Sequence, residues 1–297
     1  MKIIDCFIYS DEDLLLDVRL NILDKYVDKF VVVEACYKHN GDKKEKNFNI
    51  KKFSKFSKKI DYIFLDKEPS GLYKVDKKDN NDQAGSKLVK NAIILEHYQR
   101  NQISRGLKKV HDDDLILISD LDEIPKLEGL NFNKFKKKLV YFKHKMFYYK
   151  FNLYYKELPW IGTKGCLKKN LMSPQWLRDT KNKKYPFFRI DTFFSNKKYI
   201  DIDIIEDGGW HFTQLKLYEE LFNKLNTFAH HVDFKESGLN LDDVKSALNE
   251  KRVLYDHFID QKSQNKWKSN KILEKVNLNE LPEYLRNNFD KLNMWFD

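Results

Sequence analysis

An unbroken apolar run, Leu115–Ile118, is flanked by carboxylates on both sides and followed closely by Pro125. Four consecutive aliphatic residues between polar neighbours predict a strand of a parallel sheet that is covered on both faces. Open α/β sheets bind their ligands beyond the carboxyl ends of such strands. The acidic residues that follow Ile118 are therefore the first candidates for a functional site.

Asp120 and Asp122 follow this run two residues apart. In an extended chain they point to the same side while Leu121 turns into the core, so their oxygens can converge on one divalent cation, Mn2+ or Mg2+. That spacing suits a metal that clamps a diphosphate. The alternative is that Asp120, Asp122 and Glu123 only end the strand and place negative charge at the start of the next helix.

The chain before this strand alternates short apolar strands with helices. Ser10 and Asp13 have the spacing of a helix-capping pair. The polar stretch 68–85 has no periodicity and is either a lid over a substrate or a tolerated insertion. This rhythm predicts a Rossmann-like, mainly parallel α/β sheet with helices on both faces. The predicted elements are strands 2–9, 30–35, 61–66 and 115–118, a helix ending near Tyr26 and a helix over about 86–107.

After Pro125 the sequence becomes rich in aromatic residues, which indicates the strands of a mixed sheet or an aromatic surface that grips sugar rings. We expect one domain, 1–297, with a mainly parallel α/β half (1–125), a mixed sheet (126–212) and C-terminal helices (213–297). The predicted elements here are strands in 139–142, 146–155 and 199–205, a turn-rich loop 160–165, and helices over about 215–229, around 244–255 and over 281–285.

Three arginines and a glutamate near the predicted strand ends are further candidates for binding a ligand. Arg19 lies beside the apolar stripe of its helix and can reach either an anion or an acidic neighbour. Arg100 and Arg105 lie off the stripe of the later helix and point either to a diphosphate or to solvent. Glu34 ends the second strand and accepts a hydrogen bond from a nucleoside or sugar hydroxyl, or only from a backbone amide.

Gly208 and Gly209 precede Trp210 and His211. Paired glycines permit a close backbone approach or a positive φ, and here they predict a tryptophan and a histidine at the mouth of the next helix. A lone histidine is commonly structural. His211 becomes a third metal or phosphate ligand only if the fold brings it beside Asp122.

The 297 residues carry a formal net charge of +10, from 55 Lys and Arg against 45 Asp and Glu. The dense cluster Lys51–Lys59 is a solvated lysine face or a surface for an anionic membrane or a phosphate-bearing acceptor. Lysine outnumbers arginine and no nucleic-acid motif is present, so we expect no nucleic-acid partner. Three widely spaced cysteines and the absence of a long apolar stretch lead us to expect a protein of a reducing, cytoplasmic compartment, in peripheral contact with a membrane at most.

Two sequence motifs, Asp113–Pro125 and Gly209–Phe212, are specific. They are supported, in order along the chain, by the segments Asp11–Asn21, Phe30–Glu34, Gln99–Leu107, Phe228–His230 and Leu281–Tyr284. Together these segments resemble glycosyltransferase family 17, the family of the bisecting N-acetylglucosaminyltransferase of N-glycans.

The resemblance implies a GT-A type fold, a UDP-sugar donor such as UDP-N-acetylglucosamine, a glycan or glycolipid acceptor, a divalent metal and inversion at the anomeric carbon. It makes 1–125 the nucleotide-sugar-binding half and 126–212 the acceptor-side mixed sheet. The candidates for binding the donor are then Arg19, Glu34, Arg100, Arg105, Asp120 and His211. Animal members carry an N-terminal membrane anchor. We see none here, so we expect a soluble bacterial or viral member.

An inverting displacement needs a carboxylate base on the ring face opposite the leaving UDP. Asp207, Glu206 and Glu123 are the candidates, with Asp207 first because it ends a separate strand at a glycine-rich opening. Two alternative functions belong to other classes. A metal-dependent nucleotidyltransferase would release pyrophosphate, and a non-catalytic carbohydrate- or nucleic-acid-binding protein would show no turnover.

Overall fold

The computed structural model describes residues 1–132, 135–226, 231–259, 263–267 and 269–297. The strands in these ranges are β1 (Ile3–Tyr9), β2 (Lys29–Ala35), β3 (Ile60–Leu65), β4 (Leu115–Ile118), β5 (Glu123–Pro125), β6 (Leu139–Tyr148), β7 (Leu153–Tyr154), β8 (Trp160–Leu167), β9 (Ile202–Ile205), β10 (Gly209–Thr213) and β11 (Glu274–Lys275). The α-helices are α1 (Asp13–Leu23), α2 (Asn81–Asn101), α3 (Ile103–Gly106), α4 (Pro174–Asp179), α5 (Tyr218–Leu225), α6 (His231–Glu236), α7 (Leu241–Asn249) and α8 (Glu283–Asn287).

The strands form one sheet with the order β11-β7-β6-β8-β4-β1-β2-β3; β9 and β10 also pair with β6, and β5 pairs with β10. β4, β1, β2 and β3 are all parallel. β8 runs antiparallel between β4 and β6. The α/β fold is confirmed, and its parallel half is the part that the alternation of strands and helices predicts.

Helices cover both faces of the parallel half, as the unbroken apolar strands require. Phe7 and Leu117 point to a core shared with α1 and α8, whereas Cys6 and Ile116 point to a core shared with α2, α3 and α4. Alternate residues of one strand therefore serve opposite cores.

The predicted loop 160–165 is wrong, because these residues begin the central strand β8. The glycines that suggest a turn serve close packing instead. A Cβ on Gly165 would lie 2.7 Å from Leu117 Cδ2, and one on Gly162 would overlap the ring of His144. Glycine inside a strand often marks such an approach.

The predicted helix mouth at His211 is also wrong, since the paired glycines lead into the strand β10. The close approach itself is confirmed: Gly209 has φ +129°, and a Cβ there would overlap the carbonyl oxygen of Ile124. β10 pairs antiparallel with β5, which sets His211 opposite Glu123, and parallel with β6. The pairing of β10 with β5 thus places His211 beside residues Asp120–Glu123, which we call the acidic turn.

The helices α5, α6 and α7 pack on the aromatic end of β6, where Tyr148 and Tyr149 contact a core with Leu221 and Val244. The helix predicted over 215–229 is described only through α5, and 227–230 lie outside the described residues. Ser10 does not cap α1, which follows Glu12, and α2 begins at Asn81 behind an Asn80 capping box. No helix in the described ranges is long and apolar enough to cross a bilayer. The division of the chain into three segments stays a prediction.

Candidate functional site

A cavity of about 710 Å³ lies at the carboxyl ends of β1, β2 and β4. Ser10–Asp13 follow β1, Tyr37–His39 follow β2, and Asp120–Glu123 follow β4 along its wall. Lys216 and the α5 residues Glu220 and Lys224 line it from the C-terminal part of the chain. This is the position at which an open α/β sheet is expected to bind a ligand.

Arg19 shapes the acidic turn from below and does not face a ligand. Its guanidinium is fully buried and forms a two-pronged ion pair with Asp5, at 2.6 and 2.8 Å. It also donates to Ser119 Oγ and to the backbone oxygens of Asp120, Leu121 and Glu123. All its donor groups are used within the protein, so the prediction that Arg19 binds the donor is wrong.

Glu123 is a second brace of the turn. Its buried carboxylate accepts from the backbone N–H of Asp120 (2.9 Å), from Trp160 Nε1 (2.7 Å) and from both terminal nitrogens of Arg178 (2.8 and 3.1 Å). A general base needs an oxygen free to take a proton. The structure gives both Glu123 oxygens to other groups, which corrects its placement among the catalytic candidates.

Asp120 lies between two arginines. Its Oδ1 accepts from Arg100 Nη2 at 2.8 Å and its Oδ2 from Arg178 Nη2 at 3.0 Å. Burial alone would raise the pKa of Asp120, but Arg178 and Arg100 hold it well below its usual range. Asp120 therefore stays ionised and fixes both guanidinium groups, of which that of Arg100 belongs to a residue lining the cavity.

Sequence reasoning missed Lys216, Glu220 and Lys224, which line the cavity. It also missed Arg178, which contacts Asp120. This arginine lies on α4, whose first turn is set by the Ser173 cap and Pro174. Partly buried and paired with Asp120 and Glu123, it also donates to the carbonyl oxygen of Gly162 at 2.6 Å. The one available signal is an arginine in a chain that otherwise favours lysine.

His211 and Asp122 are adjacent, as the sequence analysis required for a functional histidine. Nε2 of His211 lies 3.3 Å from Asp122 Oδ2, and its ring packs 5.3 Å from that of Trp160. Burial lowers the pKa of His211, but the Asp122 carboxylate, helped by Glu123 and Asp120, raises it above its usual value. Its buried Nδ1 has no hydrogen-bond partner among the described residues.

The predicted three-residue metal site of Asp120, Asp122 and His211 is not formed. Within the described ranges, no three His, Cys, Asp or Glu side chains converge as metal ligands. Asp120 gives both oxygens to arginines, so Asp122 is the member of the predicted pair that can offer an oxygen to the cavity. Mg2+ and Mn2+ sites on phosphate substrates commonly use one or two carboxylates and take other ligands from the phosphates. The residues thus fit a metal attached through Asp122.

Cationic side chains from the C-terminal part face the acidic turn. Lys216 and Lys224 each lie 3.5 Å from a carboxylate, of Asp11 and Glu12 respectively. Burial opposes the charge of Lys224, but Glu12 and Asp122 raise its pKa. The cavity therefore presents both anionic and cationic groups.

Two further donor-binding candidates are not brought to the cavity wall. Glu34 is buried, and its oxygens accept from Lys44, Tyr62 and the backbone N–H groups of Asn47 and Phe48. The backbone-amide alternative is thus the one that the structure shows. Arg105 is exposed on α3, away from the residues that line the cavity.

The two leading candidates for the base also lie elsewhere. Asp207 is 62% exposed and paired with Lys126, and Glu206 is 71% exposed and paired with Lys143. Both follow β9, which joins the sheet beside β6, whereas the cavity lies at the end of β4. Neither lines the cavity, so the structure does not bring them to the acidic turn.

A mainly parallel α/β half with an acidic strand end and cationic facing groups is a frame suited to a phosphorylated donor. The sequence model of glycosyltransferase family 17 matches residues 1–296, and the chain belongs to this family.

Curated relatives include the beta-1,4-mannosyl-glycoprotein 4-beta-N-acetylglucosaminyltransferases of Homo sapiens and Mus musculus. The human enzyme is 29% identical over 137 residues, which cover 45% of this chain and 24% of that protein. The mouse enzyme is 28% identical over 137 residues, covering 45% of this chain and 23% of its own length. The match thus spans about a quarter of these relatives.

Proposed function

We propose that the chain transfers N-acetylglucosamine from a UDP-sugar to a hydroxyl of a glycan acceptor, with a divalent metal and inversion, on a GT-A type fold. The observation that carries the proposal is the cavity beyond β4, which Asp120, Asp122 and Arg100 line and where Asp120 is held between Arg100 and Arg178. Family membership and the names of the relatives support the sugar-transfer chemistry.

The donor diphosphate would lie against the acidic turn. Arg100 lines the cavity and offers a planar guanidinium group that matches phosphate oxygens, and Lys216 and Lys224 also line it. Arg178, whose terminal nitrogens donate to Asp120, Glu123 and Gly162, would hold Asp120 in place. A metal at Asp122 would neutralise charge on the departing diphosphate. His211 would hold the Asp122 carboxylate in place through its Nε2 contact.

Glu220 is our proposed base for the acceptor hydroxyl. It lines the cavity from α5, one helical turn before Lys224 on the same face. Other carboxylates of the cavity are paired: Glu96 with Arg100, and Asp11 and Glu12 with lysines. The Glu220 carboxylate has neither a hydrogen bond nor an ion pair to any residue in the described ranges, which leaves it able to accept a proton.

The test is UDP release from UDP-N-acetylglucosamine with and without Mn2+. We expect metal-dependent release in the wild type and a loss of about 100-fold or more in Asp122→Asn, because the metal site loses its charged oxygen. Mn2+-dependent UDP binding, measured by calorimetry, should fall in parallel. Pyrophosphate release from UTP would support a nucleotidyltransferase instead, and an absence of any turnover would support a binding protein.

The base is tested by a matched pair on one helix. Glu220→Gln should lower kcat by about 100-fold or more with little change in the donor KM, since only proton transfer is lost. Glu219→Gln removes the same charge from the neighbouring residue, which does not line the cavity, and should leave kcat near the wild-type value. A normal rate for Glu220→Gln combined with a loss in Asp207→Asn would return the base to Asp207.

A further inference from the structure

The segment 181–198 exposes an unusual number of large apolar side chains. Five of them are between 68% and 88% exposed: Phe187, Phe188, Ile190, Phe193 and Phe194. A contiguous apolar surface of this kind on a folded protein commonly marks an interaction site. We call 181–198 the aromatic-basic segment.

The segment has an anchored stem beneath its exposed tip. The backbone N–H of Lys181 donates to the Lys197 carbonyl at 2.7 Å, and that of Tyr185 donates to Tyr199 at 3.2 Å. The Tyr185 side chain is buried, and Thr192 Oγ1 donates to the Arg189 carbonyl at 2.6 Å. The protein therefore holds the phenylalanines outward while a neighbouring aromatic residue of the same segment packs inward.

Basic side chains surround these apolar residues. The segment contains Lys181, Lys183, Lys184, Arg189, Lys197 and Lys198 against one acidic residue, Asp191. Asp191 is paired with Arg189 at 2.7 Å and with Lys198 at 2.6 Å. Lys183 and Lys184 have no carboxylate within ion-pair distance in the part of the chain that the structure describes. The surface thus carries a positive charge beside its apolar tip.

We propose that the aromatic-basic segment docks the protein on an anionic membrane surface. Apolar side chains inserted at the boundary of headgroups and acyl chains, together with lysines facing anionic headgroups, are the two components of interfacial binding. Single-stranded nucleic acid also attracts aromatic and basic groups. An exposed isoleucine among phenylalanines, however, has no flat face for a base, so the composition favours lipid.

The other basic surface of the protein lacks the apolar component. In Lys51–Lys59 the two phenylalanines, Phe53 and Phe56, are buried. Lys52 is paired with Asp13 and Lys55 donates to Asn21. This cluster is therefore a solvated lysine face and supplies a charge-matched control.

The experiment is co-sedimentation with phosphatidylcholine vesicles, prepared with and without phosphatidylserine. We expect the wild type to bind only the anionic vesicles. Phe188→Ser with Phe194→Ser should weaken binding by about tenfold or more, because two inserted side chains are lost. Lys181→Gln, Lys183→Gln and Lys184→Gln together should weaken it by about 10- to 100-fold at low salt.

The control carries Lys51→Gln, Lys55→Gln and Lys58→Gln, which remove the same charge elsewhere, and should bind vesicles within about threefold of the wild type. The melting temperature should stay unchanged in the phenylalanine variant, the lysine variant and the control, since the substituted side chains are exposed. UDP release from UDP-N-acetylglucosamine in free solution should also be unaffected, which separates this proposal from that of the catalytic function.

Three results would overturn the proposal. Failure of the wild type to bind anionic vesicles is one, and an equal loss in the control variant is another. The third is a wild-type dimer, or binding of single-stranded RNA, that Phe188→Ser with Phe194→Ser abolishes while vesicle binding persists. The apolar tip would then serve a second copy of the chain or a nucleic acid.

Discussion

Replacing Glu123 with glutamine tests whether this buried carboxylate braces the acidic turn. Each oxygen accepts two hydrogen bonds: Oε2 from Arg178 Nη1 and the Asp120 N–H, Oε1 from Trp160 Nε1 and Arg178 Nη2. Glutamine keeps the shape but replaces one oxygen with an NH2 group. Whichever oxygen is replaced, a donor then faces two donors.

The size of the effect follows from the charge that remains. Breaking a buried ion pair by removing one partner costs about 3–5 kcal/mol. Arg178 keeps its bonds to Asp120 and to the Gly162 carbonyl, so we expect the lower end, about 3 kcal/mol in the free energy of unfolding. Urea denaturation followed by tryptophan fluorescence measures it.

Glu206→Gln is the matched control. This carboxylate is exposed and, among the described residues, paired only with Lys143, so its loss should change the free energy of unfolding by less than about 1 kcal/mol. If Glu123→Gln is as stable as this control but its kcat collapses, Glu123 acts on the substrate and the bracing role is refuted.

Two further predictions concern the framework. Lys164 donates to the Arg178 and Thr180 carbonyls. Burial, together with the charge of Arg178, lowers the pKa of Lys164 from 10.5 to about 7. Between pH 7 and pH 10.5 the unfolded chain therefore binds more protons at this residue than the folded protein does. The wild type should therefore gain stability over Lys164→Met with rising pH, by at most about 1.4 kcal/mol per pH unit in urea titrations, and a pH-independent difference would contradict this. Gly209→Ala should lower the free energy of unfolding by about 3 kcal/mol or more, because strain at positive φ adds to overlap with Ile124. Gly238→Ala, at φ +72° in open space, should lower it by only about 1 kcal/mol. Equal losses in the two variants would contradict the packing argument.

Local patterns in the sequence were sufficient to locate the acidic turn. The apolar run Leu115–Ile118 and the carboxylates after it specify a buried parallel strand and its ligand-binding end without any distant information. The paired glycines likewise indicate a close backbone approach. Which element follows them depends on strand pairing with β5 and β6, and no local pattern encodes that pairing.

The partners of the turn depend on contacts between distant residues. Arg178 reaches Asp120 across 58 positions of sequence, and Arg19 reaches the same turn from α1. Asp207 is a residue that the sequence analysis wrongly placed at the site. It follows β9, which also ends in carboxylates, but β9 lies three strand positions from β4 through β8 and β6, about 14 Å at the usual strand spacing. The end of β9 therefore lies outside the cavity.

The short helix α4 connects the cavity to the aromatic-basic segment. Arg178 contacts the acidic turn, while the adjacent Asp179 is paired with Lys197 at 3.1 Å and Trp176 Nε1 donates to the Asn196 carbonyl at 2.5 Å. Because these two contacts hold the stem of the segment, loss of either contact would shift the helix that positions Arg178. The exposed tip makes no such contact with α4. Substitutions at Phe188 and Phe194 therefore separate membrane docking from the geometry of the site, whereas a substitution of Lys197 would alter both.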